Sequence, residues 1–117
     1  MTNTLATISI IIPVLNEAAM IAEAIARLQS DSGIEVIVAD GGSRDRTVEV
    51  VLSTGAKVVS TPDGRAAQMN LGAAAATGEI LLFLHVDTRL PDGYQQMICD
   101  TLATSGVVAG AFELGID

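Results

Sequence analysis

Short apolar runs, each bounded by glycine, proline or a turn and each alternating with a helical pattern, constrain this chain more than any other feature. The clearest is Ile80-Leu81-Leu82-Phe83-Leu84-His85-Val86-Asp87, with Gly78 before it and Pro91 after it. A run this short and this apolar predicts a buried strand of a parallel sheet. Residues 8–14, 34–39 (ending at Asp40), 56–60 and 107–114 read the same way. Between them, residues 17–29 place Ile21, Ala24, Ile25 and Leu28 at i, i+3, i+4, i+7, the spacing of an amphipathic helix, with Asn16 as its N-cap. Asp45 is placed to cap a short helix carrying Val48, Val51 and Leu52, which Gly55 stops. Residues 65–77 form an Ala-rich helix with Gly78 as its stop, and Pro91-Asp92 open a last helix with Tyr94, Met97, Ile98 and Leu102 on one side. The order β-α-β-α-β-α-β-α-β predicts an α/β, Rossmann-like fold: a mainly parallel sheet with helices on both faces.

With 117 residues the chain is sized for one domain spanning 1–117. Half of it is hydrophobic but 3% is aromatic, so the core must be built from Ala, Val, Ile and Leu. No stretch approaches the roughly 20 apolar residues that span a bilayer, and the start, Met1-Thr2-Asn3-Thr4, lacks a basic region. The expectation is a cytoplasmic protein without a transmembrane segment. Cys99 is the single cysteine, so no internal disulfide forms, and a buried inert thiol is expected there. The net charge of −8 argues against nucleic acid as a partner. An anionic ligand would depend on local groups, because charges beyond about 8 Å are screened at physiological salt. A metal ion, a nearby Arg or helix N-termini would have to hold it.

Ligands of open α/β sheets sit at the C-terminal strand ends. His85 and Asp87, two apart on a strand, project from such an end on one face, and an imidazole beside a carboxylate suits a divalent metal or a polar ligand. The structural alternative is a His bonded to its loop and an Asp capping the next helix. Asp40 also ends a strand, where its carboxylate can accept hydrogen bonds from a base or ribose, or cap the helix that follows. Pro13, Leu15 and Glu17 form the loop after the first strand, which also fits a simple helix start. Arg65 opens a helix, where the macrodipole disfavours a cation, so it either faces an anion or is a solvated surface residue.

The phosphate loop of nucleoside triphosphatases, the dinucleotide Gly-x-Gly-x-x-Gly after a strand and the Gly-x-Ser-x-Gly elbow are all missing. Three blocks instead resemble the N-terminal, nucleotide-sugar-binding half of family 2 glycosyltransferases of the GT-A fold. Ser9-Ile10-Ile11-Ile12-Pro13-Val14-Leu15-Asn16-Glu17 is similar to the family's opening strand and Pro-x-x-Asn-Glu loop. Val38-Ala39-Asp40-Gly41-Gly42-Ser43-Arg44-Asp45-Arg46-Thr47 resembles its Asp-Asp-Gly-Ser-x-Asp-x-Thr, with Gly41 replacing the second Asp. Gly64-Arg65-Ala66-Ala67-Gln68-Met69-Asn70-Leu71-Gly72, then Gly78-Glu79 and the strand to Asp87, resembles the approach to Asp-x-Asp, in the His-x-Asp form of one bacterial subgroup.

The resemblance implies inverting transfer of a sugar from a nucleotide-diphosphate sugar to an acceptor that the sequence does not specify. It implies that Pro13, Leu15 and Glu17 line the nucleotide pocket, that Asp40 hydrogen-bonds the base, and that Arg65 approaches the nucleotide or its phosphates. It further implies that Asp87, with His85 in place of the first Asp, binds Mn2+ or Mg2+ bridging the diphosphate. The family's catalytic base lies in its C-terminal half, so no catalytic residue is assigned here; the expectation is a truncated chain lacking the acceptor half. The alternative is a non-catalytic nucleotide-binding module or remnant completed by a partner chain. A sugar-phosphate nucleotidyltransferase would need a Gly-rich loop where Pro13 to Glu17 stand. An unpaired final strand would make a homo-oligomer plausible.

Overall fold

The computed structural model describes residues 6–105 and 111–114, with side chains up to residue 102. The elements run β1 (Ile8–Val14), α1 (Ala18–Gln29), β2 (Ile34–Asp40), α2 (Thr47–Thr54), β3 (Lys57–Ser60), α3 (Arg65–Ala75), β4 (Ile80–Leu84), α4 (Tyr94–Ser105) and β5 (Ala111–Leu114). All strand pairings are parallel, in the order β3-β2-β1-β4-β5. The alternation read from the sequence is therefore the architecture. Residues 107–110 of the expected final strand, and residues 115–117, lie outside the described part.

β1 is buried along its whole length, as a central strand that is apolar but for Ser9 demands. Its even-numbered residues Ile8, Ile10, Ile12 and Val14 join Ile21, Ile25 and Leu28 of α1, Val51 of α2, and Tyr94, Ile98 and Leu102 of α4 in the main core. The other face is thinner: Ile11, Ile37 and Ala39 pack with Ala75, Ala76, Leu81 and Phe83, the last two half-buried. α3 covers it closely. A Cβ on Gly72 would stand 2.5 Å from Cγ2 of Ile11, so the glycine lets the helix sit on the sheet.

Several local expectations are corrected. Asn16 does not cap α1; it adopts φ 55°, and Glu17 takes the N-cap position. α3 ends at Ala75, and Ala76 is already extended. Gly78 is required for a different reason: a Cβ there would lie 2.8 Å from the backbone nitrogen of Ser9. Met97 is 55% exposed, while Tyr94, Ile98 and Leu102 are buried. Cys99 is half-buried against the main core.

The sheet order fixes where a ligand can enter. The chain moves from β1 outward through β2 to β3, then crosses back to β4 on the other side of β1. β1 pairs with β2 as far as Val14↔Asp40 but with β4 only as far as Ile11↔Phe83. Beyond Ile11 the two central strands part, and their C-terminal ends open a crevice at the topological switch point.

Candidate active site

A cleft of about 370 Å³ occupies that crevice, lined by Pro13 and Val14 at the end of β1, by Leu15 and Glu17 after it, by Gly41 after β2, by Pro62, Gly64, Arg65 and Gln68 around the start of α3, and by His85 after β4. Pro13, Leu15, Glu17, Arg65 and His85, chosen from the sequence, thus meet at one place. Asp40 and Asp87 are not in the lining.

His85 and Asp87 are brought together, though not by strand alternation. β4 ends at Leu84, and the two residues sit in a turn closed by the Thr88 N–H donating to the His85 carbonyl at 3.0 Å. Nδ1 of His85 lies 2.5 Å from Oδ1 of Asp87. Their side chains are 44% and 57% exposed, so the pair adds little to stability. No cluster of three His, Cys, Asp or Glu side chains suited to a metal exists among the described residues. A cation at this pair would have to take most of its ligands from phosphate oxygens and water, with the Asp87 carboxylate as the oxygen donor of the chain.

Asp40 has a different setting from the one expected. It is 2% exposed, and its carboxylate faces its own loop. Oδ2 accepts from the N–H groups of Gly42 (2.9 Å) and Ser43 (3.0 Å), and Oδ1 accepts from the Ser43 hydroxyl at 2.5 Å. This side chain shapes the loop rather than facing the cleft.

The first two sequence blocks hold each other. The Asn16 N–H donates to Ser43 Oγ at 2.8 Å, and Asn16 Oδ1 accepts from the backbone of Arg44 and Asp45. The Glu17 N–H donates to Thr47 Oγ1. Asp45 satisfies two helix starts, accepting from Ala18 at the head of α1 and from Thr47 at the head of α2. The Thr47 hydroxyl bond to this carboxylate leads in holding its pKa below the usual value. Asn16 therefore acts as a brace between loops, a role its left-handed φ permits.

Electrostatically the cleft favours an anion at one end. The N-termini of α1 and α3 reach it through Glu17 and through Gly64 and Arg65. No side chain caps α3, and Arg65 makes no ion pair among the described residues. Gln68, to which sequence reasoning gave no role, is 7% exposed and bridges two strand ends: Nε2 donates to the carbonyls of Val14 (3.0 Å) and Ala39 (2.8 Å). A polar residue on an otherwise small, apolar helix face was its signal in the sequence.

A second cleft, about 410 Å³, lies between α1 and the segment from Thr88 to Gln95. It holds none of the sequence-selected residues. The Tyr94 hydroxyl donates to Asp31 there at 3.0 Å; burial and that bond push the phenol up. No helix among the described residues is long and apolar enough to cross a membrane.

Comparison with known proteins matches residues 9–115 to the profile described as glycosyl transferase family 2. An uncharacterized glycosyltransferase of Nostoc sp. is 31% identical over 93% of this chain and 37% of its own length. A PGL/p-HBAD biosynthesis glycosyltransferase of Mycobacterium bovis is 36% identical over 90% of this chain and 42% of its own. The chain thus spans well under half of these relatives. The crystal structure of glucosyl-3-phosphoglycerate synthase from Mycobacterium tuberculosis, in complex with Mn2+, UDP and glucosyl-3-phosphoglycerate, superposes with a TM-score of 0.63 and 34% identity, covering 74% of this chain and 35% of that one.

Proposed function

Because the chain belongs to glycosyl transferase family 2, we propose that it forms the donor-binding half of an enzyme that transfers a sugar, with inversion, from a nucleoside-diphosphate sugar to an acceptor. The observation that carries this reading is the cleft at the switch point, where the loop after β1, the start of α3 and His85 after β4 converge. Pro13 and Leu15 wall the nucleotide, and Leu15, 53% exposed, is an apolar surface for it to cover. Glu17 borders the same space. Arg65 and the uncapped N-terminus of α3 face the diphosphate. Asp87 and His85, which lie side by side, would hold Mn2+ or Mg2+. When bound, that cation would offset the negative charge that grows on the departing diphosphate. The complex of the mycobacterial synthase with Mn2+ and UDP supports this ligand class. The acceptor site and catalytic base are assigned to no residue of this chain. A cytoplasmic setting, where nucleotide sugars are made, fits the same reading.

Thermal unfolding with UDP, GDP, ADP and CDP, each with and without Mn2+, tests the proposal. A ligand at 100 times its dissociation constant should add about 2.7 kcal/mol. The expected result is a rise in Tm that needs nucleotide and metal together and disappears in Asp87→Ala. No rise with any of the four would overturn it.

A further inference from the structure

The sequence departs from the family pattern at Gly41, which stands where the resembling block has a second Asp, and the structure shows what fills the vacated space. A Cβ built on Gly41 would lie 2.9 Å from Oε1 of Gln68, 3.0 Å from its Cδ and 3.1 Å from its Nε2. The whole carboxamide therefore occupies the volume that a side chain at position 41 would enter. A side chain at position 41 could therefore be admitted only by displacing the Gln68 amide.

The orientation of the amide follows from its neighbours. The group facing the carbonyls of Val14 and Ala39, at 3.0 and 2.8 Å, must be the NH2, because a carbonyl oxygen there would face two others. Oε1 is then forced to the Gly41 side. It accepts no hydrogen bond from the described residues, yet it is not among their sealed, unpartnered atoms, which comprise Thr88 Oγ1 alone. Gly41 and Gln68 both line the cleft. Asp40, the carboxylate expected to meet a base, already accepts three hydrogen bonds from its own loop.

We propose that Gln68 reads the nucleotide's base, its side-chain Oε1 accepting a hydrogen bond from a ring N–H that enters the cleft beside Gly41. The proposal rests on the donor-binding reading above and narrows it to bases that carry a ring N–H on the pairing edge, as uracil and guanine do. Cytosine and adenine carry a lone pair at that ring nitrogen and would meet Oε1 acceptor to acceptor. Two strand-end carbonyls hold the amide rigidly, so it cannot turn to accommodate them. A fixed polar group discriminates well because the wrong partner leaves a buried group unpaired.

Calorimetric titration of the chain with UDP and CDP, and with GDP and ADP, all in the presence of Mn2+, reads this directly. UDP is expected to bind at least tenfold more tightly than CDP, or GDP than ADP, and methylation of the corresponding ring nitrogen should remove the advantage. Gln68→Met keeps the length of the side chain without its amide and should make the members of each pair bind alike; a merely structural role would weaken both and leave their ratio intact. Gly41→Asp, whose side chain would push into the Gln68 carboxamide, should weaken the preferred nucleotide at least tenfold. Equal affinity within both pairs on the unaltered chain, or a ratio that survives Gln68→Met, would overturn the role of Gln68 and leave donor binding standing. Absence of binding by all four nucleotides would overturn both.

Discussion

Glu35 shows how one residue can be saturated with partners and still have no place in the site. It lies near the N-terminal end of the sheet, opposite Ser9 in the β1–β2 register. Burial pushes its carboxyl up, but hydrogen bonds from Lys57, Ser9 and Thr77 outweigh that and hold it down at about 2. A carboxyl depressed on folding stabilises above its ordinary value of 4.5 and loses that contribution as pH falls toward 2. Glu35→Gln should lower stability at pH 7 by on the order of 1–3 kcal/mol and flatten the loss between pH 4.5 and 2. Urea unfolding across that window measures both; a pH profile unchanged by the substitution would refute the assignment. The preceding strand positions are plain in the sequence, but this hub joins residues from three strands and the segment before β4, so no local pattern announces it. His85 and Asp87 differ: their adjacency was legible because they are two residues apart, although a turn and not a strand brings them together.

At the scale of elements, the apolar periodicity of α1 was enough to place Ile21, Ala24, Ile25 and Leu28 in the core, and all four are buried. Element ends were less legible, because capping groups come from elsewhere in the chain. Asp45, 27 residues beyond Ala18, supplies the acceptor for the first turn of α1, while Asn16 beside that helix turns to the other loop. The seat of α3 is likewise tertiary. Gly72→Ala gains helix propensity of about 1 kcal/mol, yet its Cβ would meet Ile11, which is fully buried and cannot give way. The net expectation is a loss of about 1–3 kcal/mol, seen as a lower midpoint in chemical denaturation. Ile11→Ala in the same chain should relieve part of that loss; strictly additive effects would count against the contact.

For the whole molecule, the placement of three helices on one face and α3 on the other leaves the two cores unequal. Ile12 is fully buried in the larger one, whereas Phe83 is half-buried on the thinner face. Ile12→Ala should cost about 2–5 kcal/mol, and Phe83→Ala clearly less, since the lost contacts are fewer. Equal losses in equilibrium unfolding would mean that Phe83 is covered in solution. The same topology builds the cleft, because the chain reverses direction between β1 and β4 and the two strands part beyond Ile11.

By itself the sequence determined the elements and their alternation, since periods of two and 3.6 are local properties of a chain, and it determined the family, since three motif blocks survive in order. It also singled out Pro13, Leu15, Glu17, Arg65 and His85, all found in the cleft. Only the tertiary structure decided which polar groups remain available there. Asp40 and Gln68 are 28 positions apart, and each is committed by hydrogen bonds to backbone that folding brings beside it. Whether a carboxylate or an amide faces a ligand depends on which lone pairs and protons are already satisfied, and that balance exists only once the strand ends are assembled.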